Sequence, residues 1–185
     1  MTATETLKDE HRGIERMLAV VEAALTRLET GQAVPADLFR NAAAFFHGFV
    51  DTCHHAKEES ELFPALERRG IPRQGGPVGV MLYEHEEGRG HVRALAAAAD
   101  RYMAGDDSAR SELIEHGRAY ALLLRQHIVK ENNVLFAMAD RVLTPDEQDT
   151  LSKAFEKVEQ EKTGPGEHER YHHMIEEMER LAATW

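Results

Sequence analysis

Residues His127–Phe136 read HIVKENNVLF, which sets a histidine and a glutamate one helical turn apart inside an otherwise apolar run. Residues His54–Pro64, HHAKEESELFP, repeat the order of His, three residues, Glu, three more, then Leu-Phe. Side chains at i and i+4 of an α-helix lie about 40° apart on one face, so each run offers one imidazole and one carboxylate in a single direction. Ionisable groups turned inward cost several kcal/mol unless they are paired or bound to a metal. A helix that carries such a pair twice in one chain therefore points to a shared polar centre inside a helical core.

The surrounding chain supports helices throughout. Turn-rich breaks fall at TGQAVP (30–35), RGIPRQGGP (69–77) and AGDDS (104–108), and TGPG (163–166) precedes a last short helix. LTPDE (143–147) reads as a helix start, with Thr144 as cap, Pro145 in the first turn and Glu147 completing a capping box. No segment shows strand alternation. Four long helices are predicted over about 4–29, 36–68, 77–103 and 108–141, with Pro64 expected to end or kink the second, and two shorter helices follow. Short connections favour antiparallel neighbours, so the predicted class is all-α, an antiparallel up-and-down four-helix bundle over residues 1–142, with a C-terminal helical extension over 143–185 packed on it.

Apolar seams at steps of three and four place a histidine on the inward line of every long helix. The first runs through Leu7, His11, Ile14 and Leu18, the third through Met81, His85, Gly88 and Val92, and the fourth through Leu124, His127, Glu131, Val134 and Met138. The second moves mainly by fours through Phe39, Ala43, Phe46, Val50, His54, Glu58 and Leu62. Six ligand-type residues thus converge: His11, His54, Glu58, His85, His127 and Glu131. A two-metal site explains them together, each Glu bridging two ions and the histidines capping the ends. Nitrogen and oxygen donors without thiolate suit iron, and less firmly manganese or zinc. His55 with Glu59 has the same spacing as His54 with Glu58, but the Leu-Phe offset after Glu131 is matched by the His54 register.

Composition sets the outer bounds. With 185 residues, 42% apolar and 30% charged, the chain suits one ordinary globular domain with an appendage. A formal charge of −11 argues against nucleic acid and anionic membranes as partners. The single Cys53 allows no internal disulfide and reads as a small buried residue. The N-terminus has no secretory layout, and no apolar run approaches membrane-spanning length, so a cytoplasmic location is expected.

With DEHRGIERM around His11, HHAKEESELFP, MLYEHEEGR around His85 and HIVKENNVLF in this order, the chain resembles the hemerythrin-like (HHE cation-binding) family from Thr4 to about Arg141. The resemblance implies a non-heme centre of two iron ions, oxo- or hydroxo-bridged, that meets O2, nitric oxide or peroxide as a small-molecule ligand. It implies His11, His54, His85 and His127 as terminal ligands and Glu58 and Glu131 as bridging ones. Oxygen-carrying members have a fifth histidine one turn after the third-helix His, where this chain has Arg89, and His91 lies about 240° around the helix from His85. Four histidines would leave a more open site, favouring redox or signalling chemistry over reversible carriage. Members that repair iron-sulfur clusters often carry a cysteine-bearing N-terminal domain, and with Cys53 as the single cysteine none is expected here. No acid, base or nucleophile set stands outside the metal site, so any catalysis would belong to the metal. The alternative is a non-catalytic iron-binding module for sensing or storage, or iron-sulfur cluster repair, and the chain is expected to be a monomer or weak homo-oligomer.

HERYH, 168–172, fits the HExxH zinc-protease signature, but too little chain follows for a cleft, so it reads as a polar helix face. His47 and His116 read as surface positions, and Tyr120 as a core-filling residue near the ligand layer.

Overall fold

The computed structural model describes residues 1–185 and contains six helices and no strand. They are α1 (Ala3–Glu29), α2 (36–68), α3 (Pro77–Met103), α4 (109–142), α5 (145–163) and α6 (Glu167–Ala182). Capping boxes open α1 and α5: the Thr2 and Thr144 hydroxyls accept from the backbone N–H of Glu5 and Glu147, whose side chains accept from the cap residues in return. Gly164 and Gly166 take positive φ, 95° and 80°, to turn the chain from α5 into α6.

Two of the long helices are not α throughout. Within α2, an α-segment Ala36–Phe45 passes into wider π-type turns at Phe46–His55 and Glu58–Leu62 before ending as Phe63–Arg68. In α4, Ala109–Lys130 is interrupted by one such turn at Glu131–Leu135 before Phe136–Val142. A π-turn closes i→i+5 and advances the inward face by one residue. That corrects the α4 seam: Leu135, Phe136 and Ala139 are buried, while Val134 is 50% exposed. Of the two outcomes expected at Pro64, the helix does not end there: it continues to Arg68, with a π-turn at Glu58–Leu62 just before the proline.

The buried apolar residues form two clusters rather than one. In α1, Leu7 belongs to the smaller cluster and Ile14 to the larger, with His11 between them. Along α2 the order reverses, from Val50 in the larger cluster past His54 and Glu58 to Leu62 in the smaller. In α3, Met81 in the smaller cluster leads past His85 to Val92 in the larger, and α4 reverses again from Leu124 past His127 and Glu131 to Leu135. Alternating order means alternating helix direction, an up-and-down bundle with one polar layer sandwiched between two apolar halves.

The C-terminal helices complete both halves. From α5, Leu151 and Phe155 join the smaller cluster, and Tyr171, Ile175 and Met178 of α6 join the larger. The fit is close: a Cβ at Gly48 would stand 1.7 Å from the Tyr171 hydroxyl.

Candidate metal centre

The structure brings all six sequence-predicted site residues into the polar layer, and each is no more than 2% exposed. His11 Nε2 faces His54 Nε2 at 3.0 Å, and His85 Nε2 faces His127 Nε2 at 3.1 Å. Glu131 spans the two pairs, with Oε2 3.2 Å from His11 Nε2 and Oε1 3.1 Å from His127 Nε2. Glu58 spans them from the other side, Oε1 lying 3.6 Å from His54 Nε2 and Oε2 3.5 Å from His85 Nε2. Two groups of donor atoms result: His11, His54, Glu58 and Glu131 in one, and His55, Glu58, His85 and His127 in the other.

His55 is the addition. Spacing set its register against that of His54 as alternatives, yet both rings point inward, and His55 stacks on His85 with centroids 3.7 Å apart. Neighbours in a regular α-helix diverge by about 100°; the π-type stretch ending at His55 winds more loosely and narrows that angle, and both rings lie buried in the layer. The histidine count is thus five rather than four, the fifth coming from α2 instead of the Arg89 position on α3. Arg89 instead holds Asp51 and Glu59 at 2.7 Å each. His91 lies outside the layer, its Nδ1 3.2 Å from that of His116, and His47 is at the surface.

The histidines are oriented from behind. Nδ1 of His54 lies 2.8 Å from Glu10, that of His127 2.8 Å from Glu84, that of His85 2.7 Å from Glu59 and that of His11 2.9 Å from the Asn132 side-chain oxygen. Acceptors there place the proton on Nδ1 and leave each Nε2 lone pair facing the centre. Three of these carboxylates are themselves held by cations: Glu10 by Lys57, Glu84 by Lys130 and Glu59 by Arg89. Lys57 is fully buried, an ammonium sustained by Glu10 and by Glu159 at 3.4 Å. The phenylalanines that follow each HxxxE close the layer, Phe136 stacking on His11 and Phe63 on His85.

This donor set fits a pair of cations. Opposed Nε2 lone pairs about 3 Å apart repel unless a positive charge lies between them, and none of the four Glu58 and Glu131 oxygens has a hydrogen-bond partner of acceptable geometry. Without a cation the carboxylates conflict. Burial and the neighbouring Glu131 push the Glu58 carboxyl well above the usual range, while Glu131, against its own burial, is drawn well below it by His127 and His11. Burial likewise opposes the His127 charge, but Glu131 and Glu84 push that group up to about 9.

A cavity of about 10 Å³ adjoins His55, His85 and His127, and Leu124 and Tyr120 form its far wall. It shares His55, Gly88 and Tyr120 with a larger pocket of about 120 Å³ that reaches His47 and Arg93 toward the surface. No helix is long and apolar enough to cross a membrane.

Residues 2–139 match the family described as Hemerythrin HHE cation binding domain. Uncharacterized proteins of Mycobacterium tuberculosis and Mycobacterium bovis are each 27% identical to the chain over 164 residues, covering 89% of this chain. The aligned region spans 64% of the length of those relatives. No solved structure matches the chain. With the family match extending over most of its length and the His/Glu layer at its centre, the chain belongs to the hemerythrin HHE cation-binding family.

Proposed function

We propose that the polar layer holds two iron ions, His11 and His54 serving one, His55, His85 and His127 the other, and Glu58 and Glu131 spanning both. The observation that carries this reading is the pair of opposed Nε2 contacts bracketed by two buried carboxylates that lack hydrogen-bond partners. Five imidazoles and two carboxylates without thiolate suit iron. When bound, the irons supply electron transfer and Lewis acidity toward O2, nitric oxide or peroxide.

The chain's own residues hold, orient and enclose that centre. Glu10, Glu59, Glu84 and Asn132 fix the imidazole tautomers, and Phe63, Phe136 and Leu124 keep bulk water from the layer. His55, Gly88 and Tyr120 line both the outer pocket and a space the size of one water molecule beside the layer, so a route past Gly88 and Tyr120 would suit a small neutral ligand rather than a larger substrate. Because His55 supplies a fifth imidazole, ligand count does not argue against oxygen carriage, and reactivity decides between carriage, sensing and turnover.

The test is to mix reduced, iron-loaded protein with O2, nitric oxide or peroxide in a stopped-flow spectrometer. A spectral change within the mixing experiment, reversed on gas removal for a carrier or followed by consumption for a redox protein, is expected. Bound iron whose spectrum ignores all three ligands would refute this reading in favour of an iron store or a structural site.

A further inference from the structure

We propose that His168 and His172 of α6 form a second, peripheral site for a divalent transition-metal ion of the copper or nickel type, sharing no ligand with the buried layer. The two rings stand one turn apart, with Nε2 atoms facing at 2.9 Å. Behind His168, Nδ1 lies 2.8 Å from Glu159 Oε1, and the other oxygen of that carboxylate lies 3.4 Å from the buried Lys57 ammonium. Glu159, held at its other oxygen by Lys57, stands behind His168 at ion-pair distance without the angle of a hydrogen bond, and His168 presents Nε2 to His172. Both rings also meet Phe49 edge-on, at centroid distances of 5.5 and 6.4 Å, which restricts their rotation.

The separation is compatible with one ion held between the rings. Two imidazole nitrogens each about 2.0–2.1 Å from one ion stand about 2.9 Å apart at a right angle and about 3.4 Å apart at a tetrahedral angle. The observed spacing fits a cis pair of nitrogens, the arrangement that tetragonal Cu2+ and Ni2+ accept. His172 is exposed, so water can fill the remaining positions. A zinc-protease reading of HERYH has no support, because Glu169 is also exposed and none of the five main cavities is lined by it or by the two histidines.

The test is a calorimetric titration of the iron-loaded full chain with Ni2+ alone, in parallel with His172→Ala, Glu159→Gln and His173→Ala. About one Ni2+ per chain is expected, weakened at least tenfold by His172→Ala and several-fold by Glu159→Gln, and unchanged by His173→Ala, with iron content constant throughout. Cu2+ added to the same protein should give an electron paramagnetic resonance spectrum showing two coordinated nitrogens, and one fewer after His172→Ala. Absence of Ni2+ binding, or binding that survives His172→Ala at full strength, would overturn the proposal.

Discussion

Lys57 is the side chain whose loss should be felt most sharply outside the ligand set. It is fully buried against Glu10, which is 5% exposed and orients His54. Methionine at position 57 keeps the length and volume but leaves the Glu10 carboxylate buried with only His54 beside it. Breaking a buried ion pair from one side costs about 3–5 kcal/mol, because the remaining charge has no compensation. For a chain of this size each kcal/mol moves the melting temperature by about 2–4 °C, so Lys57→Met should lower it by about 6–20 °C. Adding Glu10→Gln removes the stranded charge while keeping an oxygen for His54, so the double variant should regain part of the loss. A coupling of about 2 kcal/mol or more between the sites is expected from urea unfolding of chelator-treated protein, where iron does not contribute. Two losses that simply add, or a loss below about 1 kcal/mol for Lys57→Met, would refute the reading of this pair as a buried support.

Three further outcomes follow from the geometry. A Cβ at Gly88 would sit 3.3 Å from the Tyr120 ring, so Gly88→Val should slow the approach of nitric oxide or peroxide about tenfold, equivalent to about 1.4 kcal/mol of barrier, with iron content unchanged; equal stopped-flow rates would contradict the access path. His55→Ala should lower bound iron from about two toward one per chain by elemental analysis, whereas His91→Ala, outside the layer, should leave it unchanged. At the start of α5, Thr144→Ala should cost about 1 kcal/mol in urea unfolding. There the Arg69 guanidinium and the Thr144 cap hold the Glu147 carboxyl down to about 2, against an ordinary 4.5. A depressed carboxyl stabilises the fold above its unfolded value, so this contribution should be complete above pH 4.5 and fade toward pH 2, and Glu147→Gln should flatten stability over that window.

Helix number, order and direction were legible because each long seam interrupts its apolar steps with a histidine at the same depth. The π-turns were not, since a 3.6-residue period assumes regular α-helix; that assumption placed Val134 inward and forced a choice between His54 and His55. A trace of them was visible in α2, where Phe46, Val50, His54, Glu58 and Leu62 recede by four at every step, more than a straight α-helix sustains on one face. The carboxylates behind the histidines left a signal too. Glu10-His11 and Glu84-His85 repeat as a pair, and so do the HxxKE runs His54–Glu58 and His127–Glu131. In the fold each first-pair Glu reaches the His of the following HxxKE run, and the Lys of that run holds the Glu. Such cross-helix contacts depend on how the helices rotate against one another, which spacing along one chain does not encode. The docking of α6, with Tyr171 against Gly48, depends on tertiary fit in the same way.

The central claim is a pair of ions in one buried layer, and metal stoichiometry tests it most directly. Protein purified without added metal should contain about two irons per chain, and the His54→Ala/Glu58→Ala double variant should lose both while remaining helical by circular dichroism. One ion per chain, or iron content untouched by that double substitution, would contradict the two-ion centre.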